Sequence, residues 1–223
     1  MTFLLRQLSE SDVKRVVEIE KEAFPTLWPR TPFERDLNNR RINYLVAARF
    51  LSQAEIKAAK STPSLKGSPS LLFRLSRRLF GKMAAPEMVL PPAKDTPLGY
   101  VGTWYLTDEA HITAIAVLED WQGQGLGELL LVGAIETSIR RNSRMVTLEA
   151  RVSNYKAISL YEKYGFKRTG TRKAYYSDNR EDATIMETES LYNPAYLGRF
   201  TQLKEAFFQR HGAMELSPGL VVK

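Results

Sequence analysis

Apolar positions along the chain switch between a period of two and a period near 3.6, and the switches mark a series of strands and helices. Phe3-Leu4-Leu5-Arg6-Gln7-Leu8 predicts a first strand. Ser9-Glu10-Ser11-Asp12 has capping-box spacing, and Val13, Val16, Val17 and Phe24 follow at helical intervals. A second helix is predicted from Thr31 as cap, with Pro32 at the first helical position and Glu34 three residues after the cap. Tyr44-Leu45-Val46-Ala47-Ala48 returns to strand, and Leu98 to Tyr105 and Glu109 to Val117 predict two more, paired as a hairpin around Thr107-Asp108. Gln122 to Gly127 opens a helix with Leu126, Leu129, Leu130, Gly133 and Ile135 inward. Met145 to Glu149 is a short apolar strand, and Asn154 to Tyr164 a helix closed by Gly165. Two last strands, near Lys167–Tyr175 and Ala183–Glu189, flank the turn residues Ser177-Asp178-Asn179. This order predicts an α/β domain, a mixed sheet with helices on its faces.

Composition and charge refine that organisation. With 43% hydrophobic and 26% charged residues over 223 positions, the chain is not wholly disordered, collagen-like or coiled-coil. No apolar run approaches the roughly 18 residues needed to span a bilayer. Met1 leads into strand-like residues rather than a charged-then-apolar signal, so a soluble, cytoplasmic protein is expected. The absence of cysteine excludes disulfides, thiolate metal sites and a cysteine nucleophile. The two histidines, His111 and His211, do not suggest a metal site, and His111 on its strand is expected to be structural. The net charge of +7 is uneven: residues 1–50 carry +2 and 96–191 carry −2, while 51–95 carry +5 and 192–223 carry +2. We therefore expect a near-neutral unit over 1–191, interrupted by a basic insertion at 51–95, and a C-terminal extension at 192–223. In the insertion, Ser61 to Ser70 has linker composition. Residues 71–82 form an amphipathic pattern with Arg74, Arg77 and Arg78 on its polar side. Such a stretch suits anionic lipid, ribosomal RNA or an acidic protein, or else folds back to bury Leu72, Leu75 and Leu79. The tail, Leu203 to Phe208 especially, is expected to be a helix that caps the core.

The main chemical signal is the strand Ile112–Val117 followed by Gln122-Gly123-Gln124-Gly125-Leu126-Gly127 at a helix start. Glycines at alternate positions let the backbone approach a ligand, and a helix N-terminus adds about half a positive charge. The combination suits a pyrophosphate, although a tight strand-to-helix turn with no ligand has the same sequence. A Walker loop needs Gly-Lys-Ser/Thr and is absent, because Gly125 and Gly127 are followed by Leu126 and Glu128. The dinucleotide fingerprint fails on spacing, since the glycines fall as Gly123-x-Gly125-x-Gly127.

That spacing resembles the acetyl-CoA motif of the GNAT acetyltransferases, Arg/Gln-x-x-Gly-x-Gly/Ala, matched by Gln122, Gly125 and Gly127. Leu148-Glu149-Ala150-Arg151-Val152-Ser153-Asn154, then Ala157 to Glu162 and Tyr164-Gly165-Phe166, resembles the second motif of the family. Tyr175-Tyr176 followed by Arg180 to Met186 is similar to the RimI branch, which acetylates the N-terminus of a ribosomal protein. The resemblance implies a GNAT fold, with a mostly antiparallel central sheet flanked by helices. It implies acetyl-CoA as cosubstrate, held by the backbone of Ile115, Ala116 and Val117. The turn Gln122, Gly123, Gln124, Gly125, Leu126, Gly127 and Glu128 would take the pyrophosphate, and Asn154 the pantetheine arm. Glu149 matches the branch's general base and Tyr161 its general acid. RimI-like turns usually carry arginine where this chain has Gly123 and Glu128, which leaves the phosphates to backbone amides.

An α-amino group has a pKa near 7.7–8.0 against about 10.4 for lysine, so a carboxylate suffices as base for an N-terminal acceptor. The expected activity is therefore N-alpha-acetylation of a protein, with a ribosomal protein as favoured acceptor, by direct attack in a ternary complex. Alternatives are a lysine or small-amine acceptor, or a non-catalytic module of the same fold docking through 71–82. No DNA partner, membrane span or metal is expected. Tyr175, Tyr176 and Arg180 are candidates to border the acceptor groove, with cross-strand packing as the plainer account.

Overall fold

A computed structural model describes residues 2–26, 29–50, 95–212 and 214–216. The linker, the amphipathic stretch 71–82 and the rest of 51–94 lie outside the described residues. Strand β1 (Thr2–Gln7) passes through a 3-10 turn, Glu10–Asp12, into helix α1 (Val13–Ala23). The predicted capping residues make this junction. The Asp12 carboxylate accepts from the Ser9 N–H at 2.9 Å and the Ser9 Oγ at 2.6 Å, and the Arg6 guanidinium grips it at 2.6 and 2.9 Å.

The second helix differs from expectation. Helix α2 is a single turn, Phe33–Asp36, and Pro32 stands outside it with ψ at 62°. Proline fixed φ in the helical range but not ψ, so the helix starts one residue later. Then come β2 (Ile42–Phe50), β3 (Thr96–Leu106) and β4 (Glu109–Val117), with Thr107 at φ 50° closing the predicted hairpin. They are followed by α3 (Leu126–Arg140), β5 (Met145–Arg151), α4 (Tyr155–Lys163), β6 (Phe166–Arg172) and β7 (Ala183–Thr188). Helix α5 (Pro194–His211) and a short strand β8 (Met214–Leu216) complete the described chain.

The strands form one sheet in the order β6-β7-β5-β4-β3-β2-β1-β8. Pairing is antiparallel except at β4–β5 and β1–β8. Helix α3 packs on one face, where a Cβ on Gly133 would fall 2.2 Å from the buried Leu5 Cδ2. On the other face Phe33 meets Tyr100 edge-on at 5.4 Å, and the fully buried Glu20 of α1 accepts from the Tyr100 hydroxyl at 3.5 Å. The tail helix is longer than the predicted Leu203–Phe208 and does pack on the core. Tyr196, Phe200 and Phe207 are buried, and Lys204 reaches Glu136 of α3 at 2.7 Å.

Two features of β4 position the site. First, Gly99 of β3 lies against it so closely that an added Cβ would stand 2.6 Å from the Ala116 carbonyl oxygen. That neighbour is backbone and cannot rotate away. Gly99→Ala should therefore destabilise the fold by about 1–3 kcal/mol, read as a lowered denaturation midpoint with an unchanged slope. Second, β4 stays with β5 only from Glu109/Met145 to Ile112/Leu148. The register against β3 slips at Thr113, since Gly102 pairs with Ala114 but Thr103 with Ile112. The extra residue is a bulge, and a bulge bends its strand. Beyond it, Ala114 to Val117 remain with β3 while Glu149 to Arg151 remain with β7, so a gap opens in the middle of the sheet.

Candidate active site

The gap leads to the glycine turn. After β4, a 3-10 turn (Glu119–Trp121) hands the chain to Gln122, whose Nε2 donates back to the Val117 carbonyl at 3.2 Å. Gly123 and Gly125 adopt φ of 76° and 86°, left-handed values that a side chain would resist. Gly125 caps α3 and accepts from the Leu129 N–H at 2.9 Å. The amides of Leu126, Gly127 and Glu128 therefore begin a helix with no carbonyl one turn behind them. Gly127 is different from its two neighbours. It has ordinary helical geometry, and a Cβ there would meet nothing within 4 Å. Neither packing nor conformation calls for glycine at that position. An open cradle of amides at a positive helix end fits a diphosphate, so the residues present suit coenzyme A.

The Glu128 carboxylate does not stand unpaired among those amides. It is bound by the Lys163 ammonium and by the Tyr164 hydroxyl at 2.7 Å, both at the end of α4. Burial and this carboxylate push the Tyr164 phenol up, so it stays a donor. Asn154 caps α4, its Oδ1 accepting from the Ala157 N–H at 3.1 Å, which leaves the Nδ2 hydrogens outside the cap. Tyr161 lies two turns further along and is buried against Phe166 at 5.8 Å between ring centres. Burial, with the Tyr176 phenol nearby, pushes its hydroxyl up to about 12. Ile115 and Val117 are half-buried on the diverging part of β4, and Ala116 between them is buried beside Tyr100.

Glu149 is the first residue of β5 beyond the paired stretch, and its side chain is only 8% exposed. It is not a solvated strand-end glutamate. Arg172 Nε lies 3.0 Å from Oε1, and His111 Nε2 lies 3.2 Å from Oε2. The other ring nitrogen of His111 is 3.0 Å from Thr147 Oγ1. Sequence reasoning missed both partners. Strand position marked His111 only as structural, and Arg172 belongs to β6, remote in sequence from either. Their meeting follows from the parallel register that sets His111 opposite Thr147, which no local spacing encodes.

The strand expected to run to Tyr175, just before Tyr176, ends early. Strand β6 stops at Arg172, and both tyrosines lie in the connection to β7. Local polar bonds override the aromatic strand preference there. Asp182 accepts from the Ala174 N–H at 2.9 Å and Lys173 at 2.7 Å, and Ala174 and Arg180 turn with φ of 49° and 57°. Glu181 accepts from the Ser153 N–H at 2.9 Å and from Arg151 at 3.2 Å. Its partners, led by Ser153, hold its carboxyl at about 2. The Arg151 guanidinium also covers the Tyr176 ring at 3.8 Å. The segment from Arg180 to Asp182 thus fixes two aromatic rings, 5.2 Å apart and edge-on, beside Tyr161 and Glu149.

The profile of the "Acetyltransferase (GNAT) family" matches residues 61–166, a span that contains the glycine turn, Glu149, Asn154 and Tyr161. The [ribosomal protein bS18]-alanine N-acetyltransferase of Escherichia coli K12 is 39% identical over 129 residues, which is 57% of this chain and 76% of that enzyme. This chain belongs to the GNAT acetyltransferase family. A Bacillus subtilis relative is 48% identical over 88 residues, 40% of this chain and 58% of the relative's length. The crystal structure of the Escherichia coli ribosomal-protein-S18-alanine N-acetyltransferase matches this GNAT fold with a TM-score of 0.57. That match is at 26% identity and covers 83% of this chain and 92% of the other. Among the described residues, no helix is long and apolar enough to cross a membrane.

Proposed function

We propose that this GNAT enzyme transfers an acetyl group from acetyl-CoA to the N-terminal amine of a protein, with a ribosomal protein as favoured acceptor. The observation that carries this reading is the placement of Glu149. The carboxylate is nearly buried yet stands at the mouth of the gap where β4 leaves β5. The names of the relatives point to the same acceptor class. We also take residues 1–191 as the catalytic unit, 51–95 as its insertion and 192–223 as its extension. The enzyme acts in the cytoplasm, and 71–82 contacts the ribosome or another anionic surface.

When bound, acetyl-CoA supplies an activated acyl group on a thiol leaving group. The amides of Gly123 to Glu128, with Gln122 bracing the turn, receive the diphosphate. The backbone of Ile115, Ala116 and Val117 aligns the arm, and the Asn154 Nδ2 donates to it. A backbone N–H of that strand stabilises the carbonyl oxygen as it gains charge. Glu149 takes the proton of the acceptor amine, directly or through one water, using lone pairs that His111 and Arg172 leave free. The Tyr161 hydroxyl, held protonated across the physiological range, donates to the sulfur as it leaves. Bringing amine and thioester together in one complex supplies most of the acceleration.

Tyr161→Phe removes that donor without leaving a cavity. It should lower kcat by about 10²-fold while CoA affinity, read by calorimetry, stays within about twofold. The function itself is tested by mass spectrometry of peptides incubated with acetyl-CoA. A peptide with a free alanine N-terminus should gain an acetyl group. A blocked peptide carrying only lysine should not. Acetylation of the blocked lysine peptide alone would move the enzyme to a different acceptor class, and acetylation of neither would end the reading.

A further inference from the structure

We infer that His111 is a positioning residue for Glu149, the middle of a Thr147–His111–Glu149 chain of polar contacts that sets the orientation and basicity of the carboxylate. The inference rests on the role proposed above for Glu149. That residue lies past the last β4–β5 pair, so the ladder to β4 no longer fixes its surroundings. Its long side chain needs other restraints to hold one geometry, and misplacement by about 1 Å can cost 10²-fold in rate. Arg172 supplies one restraint but is itself more than half exposed. His111 supplies the firmer one. It comes from an inner strand, is only 26% exposed, and is held from behind by Thr147.

The chemistry of the three groups fixes the direction of the chain. An ionised carboxylate only accepts, so the His111 Nε2 carries the hydrogen that faces Oε2. In the neutral ring Nδ1 is then an acceptor, and the Thr147 hydroxyl donates to it. Uptake of a proton at Nδ1 reverses the threonine hydroxyl and sets a full positive charge 3.2 Å from the Glu149 oxygen. A carboxylate so paired is a weaker base. The other ionisable groups around the chain are Arg172 of β6, Tyr175 and Tyr176 of the β6–β7 connection, and Glu187 of β7, the register partner of Thr147. From β3 the cross-strand neighbour of His111 is Trp104, which carries no charge.

The test is kcat/KM for the same alanine peptide with the full-length enzyme, His111→Gln and His111→Ala. The alanine variant should lose about 10²-fold, and the glutamine variant, which can still donate, should recover part of it. A glutamine variant no faster than the alanine variant would overturn the inference and leave the proposed function standing. If the wild type acetylates no peptide, the proposed function fails instead, and ring-nitrogen NMR decides the chain by itself. With only His111 and His211 in the sequence, the spectra resolve. His111 should show the Nε2–H form in wild type and lose that preference in Glu149→Ala. An identical tautomer mixture in both would overturn it.

Discussion

Glu149→Gln should lower kcat by about 10²–10⁴-fold while CoA affinity stays within about twofold. The substitution keeps the shape of the side chain and an oxygen for Arg172, but it removes the lone pairs and charge that accept a proton. The fold should survive it. The Glu149 side chain is only 8% exposed, yet its cationic partner Arg172 is 55% exposed and remains hydrated when the ion pair is lost. An exposed partner makes such a pair worth little to stability. The loss should therefore appear in kcat and kcat/KM together, as expected for an interaction made only in the transition state. Steady-state kinetics with the alanine peptide reads the rate, and calorimetry with CoA reads the affinity. Unaltered turnover would remove Glu149 from the mechanism.

Gly127→Leu should weaken CoA binding by tenfold or more while leaving the fold as stable or more stable. The two effects have opposite signs because they come from different states. Glycine in a helix costs up to about 1 kcal/mol relative to good helix formers such as alanine and leucine, and a Cβ at Gly127 meets nothing within 4 Å, so the empty protein has no reason to resist it. The motif admits the methyl of alanine at this position, but a leucine side chain would crowd the amides of the cradle, where a diphosphate has to come within hydrogen-bonding distance of Leu126, Gly127 and Glu128. A tenfold loss corresponds to about 1.4 kcal/mol. Calorimetry with CoA and thermal denaturation of the unliganded protein read the two halves. A drop in melting temperature would show that Gly127 serves the fold, and unchanged affinity would remove the turn from CoA binding. Gly123 and Gly125 offer no such separation, since their left-handed φ makes any side chain a folding cost as well.

How much of this was legible in the sequence depended on how local each cause is. The helix from Asn154 to its stop at Gly165 was readable because cap and stop act within a turn. Asn154 does bond the Ala157 N–H, and Gly165 does adopt φ 84°. The junction at Ser9–Asp12 was readable for the same reason. Helix α2 was overextended because Pro32 satisfies only half of what a helical position demands. The strand was carried on to Tyr175 because propensity cannot see Asp182 bonding the turn from its far side. Strand β8 depends on a parallel pairing with β1 at the other end of the chain, which leaves no local pattern. The site divides along the same line. The glycine turn, Glu149, Asn154 and Tyr161 were recoverable because motif spacing carries them. The gap and the two partners of Glu149 were not. They arise from a bulge at Thr113 and from a register between strands, quantities that belong to the sheet rather than to any segment.

The most direct measurement of the whole account is a crystal structure with CoA and an alanine-terminated peptide bound together. The account predicts the diphosphate on the amides of Gly123 to Glu128 and the arm in the gap beside Ile115 to Val117. It further predicts the sulfur within reach of the Tyr161 hydroxyl, and the peptide amine within one water of Glu149. A diphosphate bound elsewhere, or a peptide amine on the side of the sheet away from Glu149, would contradict it.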